Sequence, residues 1–158
     1  MEAAVKLARQ YFLELSPAQN KRTRFISRKQ SYHGITLGAL AVGGHEYRRS
    51  KFEPLLMKNV SRVSPCNPFR GKKTGETDEE YVARLAQELD DEFQAVGPET
   101  VCAFVAEPVV GAVSVTSSAC RFGTHLTRDT GPRMCPLGSW VLQGGAGSLP
   151  KVRCAPHL

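Results

Sequence analysis

Apolar residues recur every three or four positions from the start of the chain: Val5, Ala8, Phe12 and Leu15 form one stripe, which Leu7 and Tyr11 widen. That period predicts an amphipathic helix over residues 2–15, ended by Ser16-Pro17. No Ser, Thr, Asp or Asn stands ahead of it as a cap, so the pattern is already running at Met1. The expectation is a chain that has lost what preceded this helix. Residues 23–28 then read as a short strand around Phe25 and Ile26, and residues 33–42 as a helix that stops at Gly43-Gly44. Between 45 and 76 the residues Arg48, Arg49, Pro54, Pro65, Pro68 and Gly71 leave little periodicity. The segment predicts an irregular excursion with one short strand at 60–63, long for a plain loop.

Thr77-Asp78-Glu79-Glu80 has the residues of a capping box: the threonine hydroxyl can accept from the N–H of Glu80, whose carboxylate can return to the N–H of Thr77. Acidic residues also suit the positive end of a helix. Tyr81, Leu85, Leu89 and Phe93 follow at intervals of four, and Gly97-Pro98 closes the helix. After it, residues 101–106 are a continuous apolar run of strand length, the kind buried on both faces of a parallel sheet. Helices alternating with buried strands predict an α/β fold with right-handed crossovers.

Beyond residue 113 the pattern changes. Residues 114–158 hold Asp129 as their only acidic residue, no isoleucine and no tyrosine, with clustered Gly, Pro, Arg and Cys. No helical or strand period survives, although a short strand can be placed on 140–142. The prediction is one domain over residues 1–113 and an irregular, disordered or loosely packed tail over 114–158. A tail read from another frame or from an unspliced intron would account for the switch.

A length of 158 residues suits one domain with a core. The apolar runs at 35–42 and 101–106 fall far short of the roughly 20 residues of a membrane span, and neither end reads as a targeting signal. An intracellular, cytoplasmic protein is expected, with mitochondria left open by the missing front. The net charge of +6 does not gather on one predicted face. Lys21, Arg22, Arg24, Arg28 and Lys29 flank Phe25-Ile26 as a strand with solvated ends, so nucleic acid is not an expected partner. Cys66, Cys102, Cys120, Cys135 and Cys154 include no C-x-x-C pair and no histidine at zinc spacing, so reduced thiols and no metal site are expected.

Two islands carry candidate chemistry. Ser31-Tyr32-His33-Gly34 places an aromatic ring, an imidazole and a glycine just before an apolar helical run, an order that suits a flat ligand with a close backbone and helix N–H groups above it. Ala103-Phe104-Val105-Ala106-Glu107-Pro108 delivers one carboxylate at the exit of a buried strand, where Pro108 keeps the backbone extended and where ligands of doubly wound sheets collect.

On these islands the chain resembles the class III aminotransferases over about residues 2–113. The resemblance implies a fragment of the fold type I large domain, a mostly parallel sheet with flanking helices, and pyridoxal 5'-phosphate as cofactor. It implies that Tyr32 stacks on the cofactor within the Tyr32-His33-Gly34 motif, and that Glu107 lies near the cofactor and the substrate's variable end. His33 is given no proton-transfer role. Arg48 and Arg49 read as ion-pair or interface residues rather than substrate clamps. The same resemblance implies an amino donor and a 2-oxo acid as substrates, and a homodimer in the complete enzyme.

The family's phosphate-binding turn would precede residue 2. Its aspartate for the pyridine nitrogen and its imine-forming lysine would follow the glutamate island, and nothing in 114–158 matches either, Asp129 and Lys151 included. No catalytic residue is therefore assigned, and no turnover by this chain alone is expected. Two other readings stay open: a non-enzymatic basic module binding an anionic partner, and a gene product without function.

Overall fold

The structure, a computed structural model, describes residues 1–107, Val110 and the backbone of the strand Trp140–Leu142. The predicted tail over 114–158 otherwise lies outside the described residues, as do its boundary at 113 and Pro108. The first helix, α1 (Glu2–Glu14), has Met1 at its cap position with no side-chain capping bond, and it buries Ala8 and Phe12. Leu7 and Tyr11 are exposed, so the buried stripe is narrower than the sequence pattern.

Strand β1 (Arg24–Arg28) pairs in parallel with β2 (Val60–Val63) on one side and with β3 (Val101–Ala106) on the other. β4 (Trp140–Leu142) adds antiparallel to β3, giving the order β2-β1-β3-β4. Between β1 and β2 lie α2 (Leu37–Val42), α3 (Glu46–Arg49) and a 3-10 turn over Ser50–Leu55. Between β2 and β3 lie α4 (Pro68–Gly71) and α5 (Asp78–Val96). The 45–76 excursion thus has more short helix than its breakers predict.

Both faces of the sheet are covered. Tyr81, Leu85, Leu89 and Phe93 of α5 pack on Ile26, Val63, Val101 and Phe104, while Ala8, Phe12 and Val42 pack on Phe25, Cys102, Ala103 and Val105. Burying each of the larger side chains contributes about 2 kcal/mol at most. The capping box forms in full, with Glu80 N–H donating to Thr77 Oγ1 at 3.2 Å and Thr77 N–H to Glu80 Oε2 at 2.8 Å. Gly97, at φ 85°, ends the helix in a conformation that suits glycine. Opposite β1 the register slips, Arg24 pairing Val101 but Phe25 pairing Ala103, so Cys102 is the extra residue of a bulge and turns to the α1 side.

Two expectations are corrected. The helix predicted over 33–42 begins only at Leu37, because Gly34 holds φ 128° and Thr36 is extended. Its start is occupied from within the fold: the Glu2 carboxylate accepts from the Thr36 hydroxyl at 2.5 Å and from Ala39 N–H at 3.1 Å. Arg22 and Arg28, expected at solvated strand ends, are buried. Arg22 donates to the carbonyls of Pro98 and Val101 at 3.0 and 2.6 Å and lies 4.4 Å over the Phe12 ring, a strut from the α1–β1 loop to the start of β3. Burial lowers the pKa of both, that of Arg28 to about 10.

Candidate functional site

β1 and β3 are adjacent and parallel, so the residues that follow them emerge at the same end of the sheet. That topology joins the two sequence islands. Tyr32 N–H donates to Glu107 Oε1 at 2.5 Å across 75 positions of sequence. Both residues are half-buried.

The turn carrying Tyr32 is laced to the end of α2. Ser31, fully within the fold, donates its hydroxyl to the Arg28 carbonyl at 2.7 Å and accepts from Gly44 N–H at 3.1 Å. Gln30 N–H donates to the Gly44 carbonyl at 3.1 Å. A Cβ on Gly44 would lie 2.3 Å from the Arg28 carbonyl oxygen, so only glycine allows this approach. Gly34, one of the predicted site residues, earns its place differently: its positive φ turns the chain toward α2, and a Cβ there would meet Ala39 at 3.1 Å.

The ring of Tyr32 has the Arg48 guanidinium 4.7 Å from its centroid. His33 follows, half-buried, with neither ring nitrogen hydrogen-bonded. Burial, assisted by the N-terminal charge, lowers its pKa to about 4. Arg49 does what Arg48 does not. It donates from Nη1 to the carbonyls of Ala41 and Gly43 at 2.9 and 2.7 Å, and from Nη2 to the Glu53 carboxylate at 2.9 and 3.0 Å. Arg62 Nη2 reaches the same two carbonyls at 2.6 and 3.2 Å. Two cations therefore hold the negative end of α2, and nothing in the local pattern marked Arg62 beyond its place in a short strand.

The cavity at this end of the sheet, bounded among others by Arg28, Ser31, Cys66, Asn67, Glu107 and Val110, measures ≈ 30 Å³. It has room for about one water and not for a cofactor, which takes a pocket of roughly 300 Å³ or more. Tyr32, His33 and Gly34 lie outside its lining. For a flat aromatic cofactor the residues present fit one wall: an aromatic ring and an imidazole whose nitrogens have no protein partner. Among the described residues no group of His, Cys, Asp or Glu could hold a metal ion. Cys66 is disulfide-bonded, against the expectation of reduced thiols throughout, and Cys102 is a free, buried thiol.

The family model described as aminotransferase class-III matches residues 1–129. The chain belongs to the class III aminotransferases. It is 59% identical over 120 residues to an aminotransferase of Gibberella zeae, covering 75% of this chain and 24% of that protein. It is 38% identical over 114 residues to the mitochondrial gamma-aminobutyrate transaminase 1 of Oryza sativa, covering 72% of this chain and 22% of that protein. Among solved structures, a PLP-bound aminotransferase mutant from Vibrio fluvialis superposes with a TM-score of 0.68 at 30% identity, over 81% of this chain and 28% of that one. An omega transaminase from Pseudomonas jessenii superposes at 0.67 and 29%, over 81% and 28%.

The fold is accordingly an α/β piece of the fold type I transaminases. This class III chain spans about a quarter of the length of the curated relatives it matches, as a fragment does. Neither the basic-module reading nor that of a product without function finds support in these likenesses. No helix among the described residues is long and apolar enough to cross a membrane.

Proposed function

We propose that this chain carries one wall of the cofactor site of a class III aminotransferase, an enzyme that moves an amino group from an amine or amino acid to a 2-oxo acid. The observation that carries the reading is the hydrogen bond from Tyr32 N–H to Glu107, which ties the ring-bearing turn to the end of β3. Pyridoxal 5'-phosphate, when bound, supplies the electron sink of the reaction. Tyr32 offers the ring face not taken by Arg48, Gly34 lets the backbone turn beneath it, and His33 presents ring nitrogens that have no protein partner. Glu107 orients the turn through the Tyr32 amide.

The reading assigns this chain no turnover of its own. A wall of stacking contacts and hydrogen bonds, each worth about 1 kcal/mol, does not replace a covalent tether. Borohydride reduction of the chain with pyridoxal phosphate, followed by peptide mapping, is expected to show scattered adducts and no activity. One stoichiometric adduct at a single lysine among the eight would overturn this assignment. The wall itself is tested with pyridoxine phosphate, which lacks the aldehyde: saturation transfer from Tyr32 ring protons to this probe is expected. A signal unchanged in Tyr32→Ala would refute it.

The homodimer of the complete enzyme belongs to the same proposal. Ile35, Tyr47 and Leu55 are 79%, 82% and 67% exposed within one 21-residue stretch, more apolar surface than solvent favours. Tyr47→Asp in the complete enzyme that carries this segment is expected to shift it toward monomer in light scattering, and an unchanged mass would exclude this face. An intracellular location, in the cytoplasm or mitochondria, completes the proposal and is checked by fractionating cells that express the tagged chain.

A further inference from the structure

Two carboxylates from distant parts of the chain hold the 32–36 segment, which carries the Tyr32 ring. At its front, Glu107 accepts from Tyr32 N–H at 2.5 Å. At its back, Glu2 Oε2 accepts from the Thr36 hydroxyl at 2.5 Å and from Ala39 N–H at 3.1 Å. Little fixes the residues between: the His33 ring nitrogens have no partner, Gly34 sits at φ 128°, and Ile35 is 79% exposed. Thr36 stands at the N-cap position of α2 without a side-chain capping bond, its hydroxyl donating to Glu2 instead. The Glu2 carboxylate takes over that role from α1, at the end of α2 that favours negative charge, and the Thr36 hydrogen bond lowers its pKa. Gly38 leaves the room for it, since a Cβ there would lie 2.6 Å from each carboxylate oxygen. α1 in turn is anchored on the sheet through Ala8 and Phe12.

We propose, on the reading of Tyr32 as a stacking face, that Glu2 is a positioning residue for the cofactor wall: it ties the back of the 32–36 segment to α1, so that the Tyr32 ring and the His33 imidazole are presented in one orientation. A segment pinned only at Tyr32 N–H keeps the conformational freedom of Gly34, whose lack of a Cβ leaves many backbone angles open. The second pin removes that freedom before a ligand arrives, so the ordering cost is not charged to binding. The bond between Glu2 and Thr36 is exposed, and an exposed hydrogen bond exchanges readily for one to water, so its effect on the global fold is small and its effect on this segment is local. Glu2 acts through Tyr32 and His33 and touches no ligand itself.

Nitrogen-15 relaxation, and saturation transfer from the Tyr32 ring to pyridoxine phosphate, test this on the full chain. Wild-type amides of residues 33–36 are expected to show order parameters of about 0.85, and Glu2→Ala to lower them below about 0.6 with unchanged far-ultraviolet circular dichroism. Transfer to the probe is expected to fall at least about twofold with them. Gly38→Ala puts a methyl group where the carboxylate sits while favouring helix in α2, so it is expected to reproduce both changes; a Glu2 that served only to stabilise α2 predicts the opposite. Glu2→Gln keeps an acceptor oxygen for Thr36 and Ala39 and is expected to restore more than half of the wild-type transfer. Absence of transfer in the wild type would refute the wall and this role with it. Transfer present in the wild type and undiminished in Glu2→Ala and Gly38→Ala, or order parameters at 33–36 alike in all three proteins, would overturn the role of Glu2 alone.

Discussion

Replacing Arg49 with alanine removes four charge-assisted hydrogen bonds at one point of the fold. The two to Glu53 contribute little, because that carboxylate is 59% exposed and such a pair is worth about 0.5 kcal/mol. The two to the carbonyls of Ala41 and Gly43 lie in the buried last turn of α2, where a hydrogen bond from a charged donor is worth about 1.5–3 kcal/mol. Arg62 still reaches both carbonyls in the variant, so neither is orphaned and each loss falls to about 1 kcal/mol. With the buried aliphatic stem, the expected cost of Arg49→Ala is about 3 kcal/mol. Arg62→Ala alone is expected to cost about 1 kcal/mol. The double variant leaves two buried carbonyls without a donor, so its cost exceeds the sum of the singles by about 1–2 kcal/mol. Urea unfolding followed by circular dichroism gives all three values. A loss below about 1 kcal/mol for Arg49→Ala, or a double variant that is simply additive, would refute the shared-carbonyl account.

The Glu76 carboxyl is held down to about 2, first by its hydrogen bonds from Arg84 and then by Lys73 N–H. Its contribution is present above the ordinary carboxylate value of 4.5 and lost as pH falls toward 2, so Glu76→Gln is expected to flatten the fall of the urea midpoint in that window; an unchanged slope would exclude it. His33 is kept neutral by burial to about 4 against an ordinary 6.5, so the unfolded chain binds the extra proton between those values and stability declines as pH falls from 6.5 to 4. His33→Asn is expected to lose that segment of the pH profile, measured by thermal unfolding. Gly44→Ala puts a methyl group into the backbone of Arg28–Gln30 and is expected to cost more than about 3 kcal/mol, whereas Gly75→Ala, with open space but φ 82°, is expected to cost about 1 kcal/mol; equal melting temperatures would contradict the packing.

Much of the fold was legible from local pattern. The Thr77–Glu80 capping box, the four-residue spacing of Tyr81, Leu85, Leu89 and Phe93, and the unbroken apolar run of β3 are short-range features. Hydrogen bonding and side-chain periodicity within a few residues decide them. Residue identity likewise marked the Tyr32-His33-Gly34 and Glu107 islands and the family to which they belong.

What no local pattern carried was which distant groups become neighbours. Arg22 and Arg28 look like solvated ends because their charge suggests water. The fold buries them because carbonyls at Pro98 and Val101, and the rings of Phe12 and Phe104, converge on them from elsewhere in the chain. The late start of α2 depends on the Glu2 carboxylate, 37 positions from Ala39, and on a positive φ at Gly34. The meeting of Tyr32 with Glu107 follows from β1 and β3 lying side by side and parallel, with β2 on the far side of β1. Sequence periodicity sets which face of an element is apolar; only packing against all the other elements at once sets what that face, and each charge on it, will touch.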